Sequence, residues 1–214
     1  MMYRQFGILC MAALCWMGCQ SGKKDSYFSG TVDYAYSYSS DSLNADSLAK
    51  GRPSKSRFSY DTTGYQSVFT GRDTIKYYYS GKLNRCVSRN SSGEETQCED
   101  YSVLTDSVLS VRVYETDEKI LGYECKVLEI QKNNSWVKYY VSTKQKIAPA
   151  TYLRHRSYNW DTYGKEAKGG LILKLEHRFR HFTMTGIATS VTRMPGNFMA
   201  LELPENELER ICHK

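Results

Sequence analysis

Chemistry in this chain would have to come from a short set of side chains. Four histidines are present. His177 and His181 stand four apart, the spacing at which two imidazoles on one helical turn share a metal ion. The residues around them read as a strand, where four residues spread over about 13 Å, too far for one ion. His155 lies in Arg154-His155-Arg156, a cationic run that reads as a solvated loop. Asp161 with Glu166, or Glu115 with Asp117, could be posed as a carboxylate acid and base, although exposed acids on loops are the commoner case. The sequence has no phosphate-binding G-x-x-x-x-G-K, no G-x-S-x-G and no H-E-x-x-H. The expectation is therefore a protein that is not an enzyme, with no metal site and no cofactor. Tyr77-Tyr78-Tyr79 and Trp160 could stack on sugar rings, but tyrosines alternating along strands are more often cross-strand packing.

The first residues carry a different chemistry. Arg4 precedes an apolar run over 6–17, followed by Gly18, Cys19 and the polar Gln20-Ser21-Gly22-Lys23-Lys24-Asp25. A short basic start, about a dozen apolar residues and a small residue at the cut are the parts of a signal peptide. The run is shorter than the roughly 20 residues a membrane-spanning helix needs. Cysteine directly after the small residue resembles the lipobox of bacterial lipoproteins, although Trp16 stands where leucine is usual. That resemblance implies acylation of Cys19 and anchoring through its acyl chains, since more than one chain holds stably. An ordinary secretory signal beside an incidental cysteine is the alternative. Residues 1–18 are then signal peptide, 19–26 tether and 27–214 one domain. The expected location is the outer membrane, lipid-anchored and facing the periplasm.

Seven cysteines are present. Cys10 and Cys15 leave with the signal and Cys19 is acylated, so Cys86, Cys98, Cys125 and Cys212 remain. An even number in an oxidising compartment reads as two disulfides. Cys86 and Cys98 flank Asn90-Ser91-Ser92-Gly93, a turn between extended runs, and are the expected pair. Cys125 is left with Cys212.

Tyrosine is abundant, at 18 residues, and proline rare, at 4. Tyr, Val, Thr and Phe favour pleated, half-buried surfaces. The formal charge of +6 is spread along the chain, whereas nucleic-acid binding calls for a clustered basic stripe. No nucleic-acid partner is expected. Val32, Tyr34, Tyr36 and Tyr38 alternate with polar or small residues, the period of a strand with one buried face. Asp41–Lys50 reads as a short helix stopped by Gly51 and Pro53, with Leu43 and Leu48 as its apolar face. Extended runs follow at Arg57–Asp61, Tyr65–Thr70, Thr74–Ser80, Lys82–Ser88, Gln97–Leu104 and Val108–Glu115. Tyr123–Gln131 and Trp136–Ser142 form a hairpin around Lys132-Asn133-Asn134-Ser135. After an irregular stretch from Ala148 to Lys168, Leu171, Leu173, Leu175 and Phe179 line one face of a strand. Thr183–Arg193 and Phe198–Leu203 are further strands, and Pro204 opens a terminal helix. Short strands at this spacing argue for an antiparallel sheet or barrel.

Lys119-Ile120-Leu121-Gly122-Tyr123-Glu124-Cys125-Lys126 resembles a hallmark of the GLPGLI family and its relatives, exported proteins of Gram-negative bacteria. The Trp136–Ser142 strand, Ile147-Ala148-Pro149 and the glycine-led Gly169-Gly170-Leu171-Ile172-Leu173 follow in the family's order. The Leu-Pro of the name-giving motif is absent, and the likeness covers residues 105–203. It implies a lipoprotein-carrier (LolA-like) fold: one strongly curved antiparallel sheet, a half-barrel, with a few short helices on its concave side or at its ends. Such a shape makes a hydrophobic cavity. The expected function is a binding or carrier module for an apolar ligand such as a lipid or acyl chain, held against Leu171, Leu173, Leu175 and Phe179. The alternative is an envelope scaffold, or a protein- or glycan-interaction module, whose concave face is simply filled.

Overall fold

A computed structural model of the chain describes residues 27–91, 95–194 and 203–213. The expected signal peptide, Cys19 and the tether lie outside the described residues, as do residues 198–202 of the expected last strand.

Alternation of large apolar and small polar residues yields eleven strands. They are β1 (Gly30–Ser39), β2 (Lys55–Tyr60), β3 (Gly64–Thr70), β4 (Thr74–Ser80), β5 (Arg85–Asn90), β6 (Glu95–Asp100), β7 (Val108–Ile120), β8 (Tyr123–Lys132), β9 (Trp136–Lys146), β10 (Gly170–Arg178) and β11 (Thr183–Arg193). Three helices join them: α1 (Ala45–Lys50), α2 (Trp160–Glu166) and α3 (Glu205–Cys212). Asn44 caps α1, its Oδ1 accepting from the Ser47 amide at 3.0 Å. Leu48 of that helix is buried while Leu43 stays exposed.

All strands belong to one sheet in the order β6-β5-β4-β3-β2-β1-β11-β10-β9-β8-β7, with both edges unpaired among the described residues. The fold is thus mainly β, one open antiparallel sheet with few helices. Consecutive strands β6 and β7 occupy its opposite edges. Laid flat, the sheet would part them by about 48 Å, at about 4.8 Å per strand. The linker over residues 101–107 reaches at most about 29 Å. The sheet has no choice but to curl, and the linker closes the gap between its edges. The expected strand Gln97–Leu104 stops early for this reason: Tyr101 to Leu104 belong to the crossing.

The stretch read as irregular, Ala148–Lys168, is a plug on the concave side. It holds two 3₁₀ turns, Pro149–Tyr152 and Ser157–Asn159, followed by α2. Its side chains enter an aromatic core. Trp160 stacks on Tyr65 at 5.1 Å and on His155 at 5.3 Å, and Tyr79 lies 4.6 Å from His155. Buried tyrosines need a partner for each hydroxyl. Tyr34 Oη donates to the Ile172 carbonyl at 2.7 Å, and Tyr79 Oη to Asn84 Oδ1 at 3.0 Å and to the Thr151 carbonyl at 3.1 Å. The same plug stitches the linker in place. The Arg156 amide donates to the Tyr101 carbonyl at 2.7 Å, Ser157 Oγ to Val103 at 3.3 Å and Asn159 Nδ2 to Asp106 at 3.2 Å.

On the outer face of the β4–β6 edge, α3 lays Leu208 and Ile211 over Tyr78 and Val87. Glu205 and Glu207 in its first turn suit the positive end of the helix dipole, and Glu207 pairs with Arg89 at 3.4 Å. The disulfide expectation is corrected here. Cys98 is bonded to Cys212, with Cα atoms 5.2 Å apart, while Cys86 and Cys125 are free, buried thiols. Register explains why Cys86 and Cys98 do not meet. Cys98 stands opposite Val87, and Cys86 opposite Glu99. Successive residues of a strand point to opposite faces, so Cys86 turns into the main core and Cys98 outward to α3. Cys125, on β8, packs into the main core, whereas Cys212 belongs to the separate cluster beneath α3.

Two predictions follow from this packing. Non-reducing peptide mapping should recover Cys98 linked to Cys212, with Cys86 and Cys125 alkylated only after denaturation, since burial pushes the Cys86 thiol up to about 12. Cys98→Ser should lower unfolding stability by about 2–4 kcal/mol; a bridge from Cys86 or Cys125 would refute the arrangement. The second concerns His155, which is wholly buried, with Tyr65 Oη 3.3 Å from its Nε2. Desolvation by burial drops its pKa from 6.5 to about 3. The unfolded chain takes up this proton first as pH falls. The stability tied to His155 is thus whole above pH 6.5 and lost progressively toward pH 3, with a slope of roughly 1 kcal/mol per pH unit. Urea midpoints measured from pH 7 to 4 should fall less steeply in His155→Phe than in the wild type.

Candidate functional site

Between the curled sheet and the plug lies a cavity of about 400 Å³. That is within the size range of small-molecule pockets. Strand registers show how its wall is built. One inward row runs Leu128–Tyr139–Leu175–Gly186–Tyr36 across β8, β9, β10, β11 and β1. The next runs Ile130–Val137–His177, and Lys132 stands one inward step beyond Ile130 on β8. Phe58, Phe69 and Tyr77 supply the opposite wall from β2, β3 and β4. In a flat sheet β4 and β8 would lie about 34 Å apart; curvature makes them two sides of one cavity.

Gly186 is the small member of its row for a steric reason. A Cβ there would fall 2.6 Å from Tyr36 Cε1 and 3.3 Å from Leu175 Cγ. Tyr36 cannot swing away freely, because its hydroxyl is hydrogen-bonded to Ser56 Oγ at 2.8 Å. The missing side chain is the space into which the Tyr36 ring leans.

The cavity has a closed and an open end. Toward Phe28 and Tyr163 the side chains are fully buried, and the plug seals them. Toward Tyr36, Ile75, Phe179 and Met184 they are part-exposed. Tyr158, 55% exposed, and Trp160 form the plug's side of the wall. Tyr158 and Asn159 both have left-handed backbone, with φ of 58° and 61°. That conformation is uncommon for non-glycine residues, and it delivers Tyr158 and Trp160 to the cavity from one tight turn.

Ser67, Lys132 and His177 interrupt the apolar lining, and the last two carry its basic groups. Lys132 is only 4% exposed, and its ammonium has neither a hydrogen bond nor an ion pair among the described residues. Burial lowers its pKa, and Asp106 on the linker offsets part of that effect. His177 packs its ring 3.9 Å from Phe179 and leaves Nε2 buried without a partner. Burial first, and the charge of Lys132 second, bring its pKa down to about 4, so it is neutral at pH 7.

The sequence-predicted residues distribute unevenly. Leu175 and Phe179 line the cavity, whereas Leu171 and Leu173 are fully buried and do not. The register of β10 against β9 shifts twice between Gly170 and Lys174, so Ile172 joins the lining and the single-face reading of Leu171 to Phe179 breaks. Lys174 and Glu176 lie on the outer face, paired with each other at 3.1 Å. His181 is exposed in the turn after β10 and does not approach His177. Among the described residues no group of three His, Cys, Asp or Glu could hold a metal ion. Glu115 pairs with Lys126 at 2.7 Å and Glu166 with Lys165 at 3.6 Å, away from the cavity. The three consecutive tyrosines split by face: Tyr77 to the cavity, Tyr79 to the core, Tyr78 beneath α3. Trp160 has Tyr65 and His155 packed against it and lines the cavity. A larger hollow of about 630 Å³ lies on the outer face; of its charged residues, Asp33 and Arg57 pair at 2.7 Å and Lys55 is exposed.

No protein-family model and no curated protein matches the chain, so the GLPGLI-like resemblance rests on the motif residues alone. Among solved structures, PNGF-II aligns at 14% identity with a TM-score of 0.44, over 78% of this chain and 28% of that one. This chain thus spans under a third of PNGF-II. A structure described as an outer-membrane lipoprotein-sorting protein domain from Vibrio parahaemolyticus aligns at 8% identity with a TM-score of 0.32, over 85% of this chain and 90% of that one.

Proposed function

We propose that this protein is a binding or carrier module for an apolar ligand, not an enzyme, and that the ligand occupies the cavity between the half-barrel and its plug. The observation that carries this is the continuous apolar wall of Tyr36, Phe58, Phe69, Leu175 and Phe179, open at one end and about 400 Å³ in volume. An acyl chain or similar lipid group has the shape and polarity for it. The scaffold alternative calls for a concave face filled by its own side chains.

In the same proposal the chain is exported, acylated at Cys19 and held on the outer membrane facing the periplasm. The support is the sequence over residues 4–25. One geometric fact suits it. Tyr27 and Phe28 sit at the closed end, where the Phe28 amide donates to Lys146 at 2.6 Å. β1 then runs about 30 Å toward the open end. A tether at Tyr27 leaves the cavity mouth pointing away from the anchor.

Uptake of a fluorescent fatty acid tests the reading, and two leucines on one strand sharpen it. Leu173→Ala should cost about 2–5 kcal/mol, as for packed core, and leave the affinity of the folded protein unchanged. Leu175→Ala should cost less and change the affinity. Gly186→Ala should destabilise by about 1–3 kcal/mol and weaken uptake by driving Tyr36 into the cavity. Absence of saturable uptake by the wild type at micromolar probe would overturn the carrier reading in favour of the scaffold.

A further inference from the structure

We propose that the ligand carries an anionic head group, and that Lys132, with His177 beside it, is the receptor for that group inside the cavity. This rests on the carrier reading above and names the class of ligand. The first argument is burial. Lysine is almost never fully buried unless it is paired, yet Lys132 is 4% exposed with no carboxylate within ion-pair distance among the described residues. Asp106 acts on it electrostatically but forms no ion pair with it among the described residues.

The second argument is that the strand pattern itself calls for an apolar residue there. Leu128, Ile130 and Lys132 are successive inward residues of β8, and a leucine or methionine would continue the pattern. Ion pairs elsewhere on the sheet have their partners: Lys174 with Glu118 at 2.9 Å and Arg57 with Asp33 at 2.7 Å. Among the described Lys, Arg, Asp and Glu residues, Lys132 is the one that lines this cavity.

The third is the second donor. His177 is in the adjacent inward row, lines the same cavity and keeps a buried Nε2 without a partner. As a neutral imidazole with the proton on Nε2 it donates one hydrogen bond without adding a charge. An ammonium and an imidazole N–H together match a carboxylate or a phosphate oxygen pair, and hydrogen bonds to an ionised acceptor are the strong kind. The chain of the ligand would lie along Leu175, Phe58 and Phe69, with its head at Lys132. The shared chemistry is a single-chain amphiphile with an oxyanion.

The test is displacement of the neutral dye phenylnaphthylamine from the purified protein at pH 7.5 by dodecanoate, dodecyl phosphate and dodecanol. The wild type should bind at least one of the two anions roughly tenfold or more tighter than the alcohol, a difference of about 1.4 kcal/mol. Whichever anion is preferred assigns the head group as carboxylate or phosphate. Lys132→Met, which keeps length and apolar bulk, should bring the acid-to-alcohol ratio to about one. Lys132→Arg should keep the preference. Equal affinity of all three compounds for the wild type, or a preference that survives Lys132→Met, overturns this inference and leaves the carrier reading standing. Failure of the dye and of all three compounds to bind overturns both. The wild-type comparison needs no variant, so a poorly folding Lys132→Met would not rescue the idea.

Discussion

The linker over residues 101–107 is the constraint from which the rest of the architecture follows. It joins two strands that neighbour each other in the chain and lie at opposite edges of the sheet. A connection that short cannot cross a flat sheet of eleven strands, so the sheet curls until its edges approach. Curling then gives the two faces different fates. The outer face stays near solvent and carries the ion pairs Arg57–Asp33 and Lys174–Glu176. The inner face is lined by apolar and aromatic side chains that leave a cavity of about 400 Å³. The plug over residues 148–168 closes one end of that space, and it also holds the linker through Arg156, Ser157 and Asn159.

Filling a curved interior explains the abundance of tyrosine. A phenol covers as much apolar surface as phenylalanine and ends in a group that reaches for a carbonyl. Tyr34 reaches across to Ile172 on β10, Tyr79 to Thr151 in the plug and Tyr152 back to Gly64. Each such bond ties elements that are not neighbours in the sheet, so the hydroxyls brace the curvature while the rings pack. Desolvation raises the pKa of Tyr34, Tyr79 and Tyr152, which keeps them neutral donors. In the upper half of the cavity this bracing thins out: Tyr36 is bound to Ser56, but Phe58 and Phe69 have no hydroxyl to spend.

How much of this was legible in the sequence depends on whether local period decides it. The strands were, because a two-residue period survives in any sheet: Thr74–Ser80 and Thr183–Arg193 are the strands β4 and β11 themselves. The disulfide was not, because spacing across a turn ignores face, and Cys86 and Cys98 differ in parity about their shared register. The plug was read as irregular since its short turns carry no apolar repeat. Leu171 and Leu173 were grouped with Leu175 because register shifts within β10 are set by its neighbour β9, not by β10 itself. Lys132 was missed although a signal existed. It is the polar residue that breaks the inward series Leu128, Ile130, Lys132, at the end of a strand whose other inward residues are apolar.

Breaks in local rules are not spread evenly over this molecule. The buried polar atoms without partners among the described residues include His155 Nδ1, Asn159 Oδ1, Asp161 Oδ1 and His177 Nε2. Three belong to the plug and the fourth to the cavity wall. The consecutive left-handed pair Tyr158–Asn159 is in the plug too, and Lys132 is in the wall. The sheet, by contrast, carries a continuous ladder between its two edges and ion pairs such as Arg57–Asp33 and Lys174–Glu118 on its outer face. A sequence selected for stability alone would relieve these sites, since an apolar residue at 132 and a glycine at 158 or 159 remove burial cost and strain without touching the ladder. Of these positions Tyr158, Lys132 and His177 line the cavity, while His155, Asn159 and Asp161 belong to the plug behind its lining. The rigid curl supplied by the linker is what lets those residues be held in place at that cost.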